Sequence, residues 1–219
     1  MEIDVRGDII GNDDKWIYDW LGWDSTAPAD IRNALLTKPE GELLTVLVNS
    51  GGGNVLAGQE IYSMLYGRKD VEIKIQSMAG SAASVVAMAN TCEISPVAMI
   101  MIHNVSISGA SGDYHDMQKN AEILKQMNSA LAGAYVTKTG KTQEEILKMM
   151  DRETWITANQ ALEMGFVDSI AEIAPQYTNS LSGIRLTDEI RKRVEAEKAV
   201  KDKKTEQEEI TGDLWRYGA

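Results

Sequence analysis

The chain has 219 residues, a formal net charge of −11 and a single cysteine, Cys92. That length suits one domain of about 150 to 200 residues plus an appendage. The charge excludes a nucleic-acid surface, which needs clustered cations to release counterions. One cysteine and two histidines leave neither an internal disulfide nor a Cys/His zinc site.

The start, MEIDVRGDII, lacks the basic, apolar and small-residue succession of a secretory signal. No window reaches the roughly 18 apolar residues of a membrane span, so the expectation is a soluble cytoplasmic protein without membrane contacts. EIDVRGDI, LLTVLVNS, VEIKIQSM and AMIMIHNV read as strands separated by helical stretches, the α/β pattern. After the second strand, Val55, Ile61, Met64 and Leu65 share one face of a helix. Residues 113–138 predict a long helix, with Tyr114, Met117, Ala121, Leu124, Met127, Leu131 and Tyr135 spaced by three and four. Thr142 with Glu145 and Thr157 with Gln160 have capping-box spacing, so helices start after each threonine, and DRETWI (151–156) falls between them as a connecting segment. A turn-rich stretch then leads into a charged C-terminal extension at 174–219, helical or partly disordered, leaving 1–173 as the main domain. Trp16, Trp20, Trp23 and Trp215 sit at chain ends or turns, where amphipathic aromatics suit an interface or core filling.

Three places could carry chemistry. NSGGGNV (49–55) ends a strand in three glycines, whose backbone N–H groups can face a ligand with no Cβ in the way. It lacks the Gly-Lys-Ser/Thr of a nucleotide phosphate loop. QSMAGSAASVVAMA (76–89) combines small residues and three serines before an uncharged helix, leaving room for a substrate. Ser84, read as standing at the start of that helix, is a candidate nucleophile, with Ser77 and Ser81 left open on chemistry alone. Of the histidines, His115 falls in a polar first turn, whereas His103 closes a strand and is the candidate base. Asp151, Glu153 and Asp168 are candidate carboxylates to hold the imidazole.

Together, NSGGGNVLAG, GSAAS, IMIH and TANQALEMGFVDSI resemble, in order, the proteolytic subunit family of the Clp protease, a family of serine peptidases. The resemblance implies an α/β, crotonase-like superhelix of repeated ββα units, with the long helix as a protruding handle, and stacked homo-oligomeric rings. It implies Ser84 as nucleophile, His103 as general base, and the backbone N–H groups of Gly53 and Val85 as the oxyanion hole. The family's usual aspartate falls, by the spacing to TANQA, on Glu153, which the resemblance thus implies as the acid; Asp151 is the alternative and requires a loop shift. Neither cofactor nor metal is implied. The 19-residue interval from Ser84 to His103, the charged extension and the ETWITA wording resemble the phage and prophage branch of head maturation proteases. That branch implies ATP-independent cleavage of extended peptides, with capsid or scaffold proteins as substrates, in the host cytoplasm or the prohead. The alternatives are a housekeeping-type subunit fed by an AAA+ unfoldase, a crotonase-type acyl-CoA enzyme, and an inactive ring-forming structural protein.

Overall fold

Strands β1 (Glu2–Ile9), β3 (Leu44–Gly53) and β4 (Val71–Gly80) lie side by side and parallel in the computed structural model, which describes residues 1–172. The extension expected at 174–219, with Trp215, lies outside the described residues. β2 (Ser25–Thr26) closes one edge, and β5 (Cys92–Ile94) with β8 (Ser169–Ile170) extends the other, all parallel. Val46, Val48, Ile73 and Ile75, alternate residues on one face of the sheet, are buried, whereas Leu47, Glu72 and Lys74 on the other face are only partly covered, so the central strands are fully buried on one face rather than on both. β4 is shared lengthwise between two partners. Its residues 73–75 pair with β5, and residues 78–80 pair with β6 (Met99–Ile102), which in turn runs antiparallel to β7 (Thr154–Thr157).

Helices join and cover these strands: α1 (Lys15–Leu21), α2 (Pro28–Thr37), α3 (Val55–Leu65), α4 (Ala82–Ala87), α5 (Tyr114–Thr139), α6 (Gln143–Asp151) and α7 (Ala158–Glu163). The result is the α/β, crotonase-like superhelix that the segments implied. On α3, Ile61 and Leu65 are buried, while Val55 and Met64 pack partly buried against the core. α5 matches the expected long helix. Asp113 caps it by accepting from the backbone N–H of His115 and Asp116, and Gly140 ends it at φ 70°. Its first half is largely exposed, whereas Leu131, Ala132, Ala134 and Tyr135 enter the core, so the helix is anchored at one end. Thr142 and Thr157 begin α6 and α7 as their spacing required.

One expectation changes. Residues 151–156 are not a free connection, because Asp151 closes α6 and residues 154–156 pair along β6. The tryptophans Trp16, Trp20 and Trp23, on or just beyond α1, are exposed rather than core. Among the described residues, no helix is long and apolar enough to cross a membrane.

All six residues of α4 are buried, and none is larger than valine. Their smallness lets α4 approach α3 closely, since a Cβ at Gly58 would lie 2.9 Å from the Cβ of Ala82. Filling that gap forces the two helices apart at a cost of about 1–3 kcal/mol. Gly58→Val is therefore expected to lower the urea midpoint of unfolding, whereas valine at exposed Gly133, where a Cβ would meet nothing within 4 Å, should cost little by comparison.

Candidate active site

β4 ends at Gly80 and α4 begins at Ala82, so the chain must turn from strand to helix at the single residue Ser81. It does so at φ 50° and ψ −123°, a conformation that costs a non-glycine residue roughly 1–3 kcal/mol. A serine before a helix normally caps it through its hydroxyl. Here Ser81 makes no such cap; its Oγ lies 2.7 Å from Nε2 of His103, just beyond β6. The pairing of Gly80 with Met101, and the bond from the Ser81 N–H to the Met101 carbonyl (2.9 Å), fix the two side chains to one ladder.

Ser84 is not at this position. α4 starts three residues earlier than the sequence reading placed it, which carries Ser84 into the helix interior. There it is 0% exposed, its Oγ donates to the Ser81 carbonyl (2.6 Å), and it lies 2.7 Å from the Tyr135 hydroxyl. A substrate cannot reach it without the helix opening. Val85 moves with it: its N–H donates to the Ser81 carbonyl at 3.3 Å and is not free for an oxyanion. The amide that follows Ser81 belongs to Ala82, the first residue of the helix, which has no partner within it. Ser77 lies exposed on β4, four residues upstream of the turn.

At Gly53 the resemblance implies an oxyanion donor. The Asn54 N–H donates to the Ile9 carbonyl (2.7 Å), and alternation along a parallel ladder then turns the Gly53 N–H away from β1. A side chain there is excluded, since a Cβ would meet the Ile9 carbonyl oxygen at 2.3 Å. Ser50 supports this run from beneath, donating to the Gly7 carbonyl (2.5 Å) and accepting from the Gly52 N–H (3.1 Å). Its role was not read from the sequence, where it was simply part of the glycine segment. Gly53, Ser81, Ala82, His103, Asn104 and Tyr135 line one cleft of about 80 Å³. It opens beside a larger groove of about 330 Å³, walled by Val55, Leu56, Val105, Ile107, Leu124 and Met127.

The carboxylates stand differently. Ile102 pairs with Thr154, so His103 and Glu153 are the residues by which β6 and β7 leave their shared ladder at the same end. Glu153 takes φ 50°, the other non-glycine residue at positive φ among the described residues. Its Oε1 accepts from Trp155 Nε1 at 3.2 Å rather than from the imidazole. Asp151 Oδ1 accepts from Asn104 Nδ2 (2.8 Å), and the side-chain oxygen Oδ1 of Asn104 is buried without a partner among the described residues. Among the described residues, neither carboxylate is hydrogen-bonded to His103. Asp168 lies elsewhere, accepting from the Cys92 N–H and from Lys138. Burial pushes the Cys92 thiol up to about 12, which leaves it unreactive.

The sequence profile of the Clp protease family matches residues 32–174. Similar chains include the ATP-dependent Clp protease proteolytic subunit 2 of Tropheryma whipplei, 35% identical over 133 residues, which are 59% of this chain and 73% of that protein. The ATP-dependent Clp protease proteolytic subunit 1 of Chlamydia trachomatis is 32% identical over 143 residues, covering 62% and 72% of the two chains. Its counterpart in Corynebacterium glutamicum is 32% identical over 155 residues, covering 67% and 74%. The geometry predicts that a fluorophosphonate probe labels Ser81 and leaves Ser84 unmodified. Peptide mass mapping would decide between them, and a label on Ser84 would overturn the placement of the hydroxyls described above.

Proposed function

Because this chain belongs to the Clp protease family and is thus a serine-type peptidase, we propose that Ser81, in place of the expected Ser84, is its nucleophile and His103 its general base. The observation that carries this is the 2.7 Å contact between Ser81 Oγ and His103 Nε2 at a strained, uncapped strand-to-helix turn. With the imidazole proton on Nδ1, Nε2 takes the Ser81 proton as Oγ attacks a peptide carbonyl. The backbone N–H groups of Gly53 and Ala82 stabilise the oxyanion, Ala82 replacing the expected Val85. The His103 imidazolium then protonates the leaving amine, and water, activated by the same imidazole, hydrolyses the acyl-enzyme.

Glu153 is the acid in this reading, with Asp151 the alternative. The shared end of β6 and β7 favours Glu153, whose carboxylate would have to leave Trp155 to meet the imidazole. Asp151 is instead engaged by Asn104. The substrate would lie extended along the edges formed by residues 51–55 and 106–112, recognised mainly through its backbone. The neighbouring groove, with Leu56, Ile107 and Ile123 exposed along it, suits an apolar side chain beside the scissile bond.

The biological setting is read from the relatives. All three are named as subunits of an ATP-dependent protease, which favours a housekeeping-type proteolytic subunit, in cytoplasmic stacked rings, supplied by an AAA+ unfoldase. The head maturation reading keeps the ETWITA segment and the charged extension in its favour. A crotonase-type acyl-CoA enzyme would have no use for the Ser81–His103 contact, and an inactive ring protein would have no reason to retain the strained turn.

Ser81→Ala is expected to abolish cleavage of an unfolded protein while leaving the native mass of the assembly unchanged; an undiminished rate would refute the nucleophile. Glu153→Gln should lower kcat far more than Asp151→Asn, and the reverse order would move the acid to Asp151. A folded substrate should be degraded only with ATP and an unfoldase present. Efficient ATP-independent cutting of capsid or scaffold protein alone would favour head maturation instead.

A further inference from the structure

Ser84 is buried, uncharged and off the reaction path, yet it contacts the backbone of Ser81 directly. Its Oγ lies 2.6 Å from the Ser81 carbonyl oxygen, which can only accept, so the one proton of Ser84 is committed there. The Tyr135 hydroxyl, 2.7 Å from the same Oγ, must then be the donor of that second bond. Burial pushes the Tyr135 hydroxyl well above the usual phenol range, the Ser84 bond opposing this only in part, so its proton stays in place. The directions are settled by elimination: Tyr135 donates to Ser84, and Ser84 donates to Ser81.

The end of that chain matters because of what shares its peptide plane. The Ser81 carbonyl and the Ala82 N–H belong to one planar trans unit and point in opposite directions. The carbonyl also accepts from the N–H of Ser84 (3.0 Å) and Val85 (3.3 Å). Those amide bonds follow from the helix; the side-chain bond, shortest of the three, is added from outside the backbone. A serine inside a helix often bonds back to a carbonyl three or four residues earlier with little consequence. Here a second hydroxyl is brought from α5, 51 residues away in sequence, to hold that serine in its rotamer. Alanine and phenylalanine would fill both places for packing alone; Tyr135 already packs against Phe166, with ring centroids 6.1 Å apart.

We propose that Ser84 and Tyr135 are positioning residues: a buried hydroxyl relay that fixes the Ser81–Ala82 peptide and so aims the Ala82 N–H at the oxyanion. The assignment rests on the catalytic reading above, in which Ser81 is the nucleophile. Ser84 is sealed from the cleft and the Tyr135 hydroxyl is engaged by Ser84, so the relay acts through the Ser81–Ala82 peptide and not on the reacting atoms. Its effect falls on the step where negative charge develops, because an amide set at the wrong angle binds a substrate carbonyl almost as well but a tetrahedral oxyanion poorly.

The test uses the full chain, with active sites titrated by a fluorophosphonate, and measures kcat per titrated site, KM and inhibition by a peptide boronic acid that forms a tetrahedral adduct. Losing an oxyanion donor outright costs roughly 10²- to 10³-fold. Misaiming it should cost less, so Ser84→Ala is expected to lower kcat roughly tenfold with KM little changed, and to weaken the boronic acid in parallel. Tyr135→Phe, which keeps the ring and its packing, should show a smaller drop of the same kind. The double variant should be no worse than Ser84→Ala alone, because the two groups act in series. A purely structural role would lower the melting temperature while leaving kcat per titrated site unchanged, and that result in both variants would overturn the proposal. Should Ser84→Ala fail to fold, Tyr135→Phe alone decides by the same criterion. If the unaltered protein takes no label at Ser81, the catalytic reading itself fails; if it does and the variants run at full rate, only the relay fails.

Discussion

The site depends on one backbone constraint: the chain must pass from β4 into α4 through a single non-glycine residue at positive φ. Such a turn is unfavourable by itself and persists only when its surroundings overdetermine it. Those surroundings are visible. Gly52 and Gly80 carry no Cβ where β3 passes the turn; at Gly52 one would lie 2.7 Å from both the Gly80 carbonyl oxygen and the Ser81 Cβ. Behind the turn, the Ser81 carbonyl accepts three hydrogen bonds. In front, the hydroxyl is left without a capping duty and meets the imidazole. The small residues around Ser81 are thus explained by close approach of backbone on one side and of α3 on the other, rather than by room for a substrate alone.

Much of the fold was legible because period and caps act locally. Alternation and apolar runs marked β1, β3, β4 and β6, and the Thr142 and Thr157 capping boxes marked α6 and α7. The short strands β2, β5 and β8 had no such signal, since two or three residues cannot show a period, and they exist through pairing with neighbours. β7 was hidden for a related reason. Thr154 and Trp155 read as loop until β6 supplies a partner.

The proposed nucleophile, Ser81, stands one helical turn before the expected Ser84, and the reason the two are hard to tell apart is specific. Ser81 and Ser84 are three residues apart, both preceded by small residues, and Gly-Ser-Ala-Ala-Ser fits the family's string at the later serine. The string does not say where the helix starts. What distinguishes the two is that residues 82–89 are all buried, so a serine within that run faces the core, while the residue just before it is free to face a cleft. The proposed oxyanion amide shifts with the serine, from Val85 to Ala82. Gly53 ends β3 and His103 follows β6 directly, as the strand pattern predicts, because pairing with a neighbour fixes where each strand ends.

The lengthwise sharing of β4 also separates sequence distance from spatial distance. Residues 78–80 of β4 hold β6 directly, while the chain between α4 and β6 detours through β5, which pairs lower down at residues 73–75. That detour is a side excursion with its own anchorage. The count of residues between serine and histidine therefore measures the size of the excursion and not the geometry of the pair, so loops there can lengthen or shorten among relatives without retuning the chemistry.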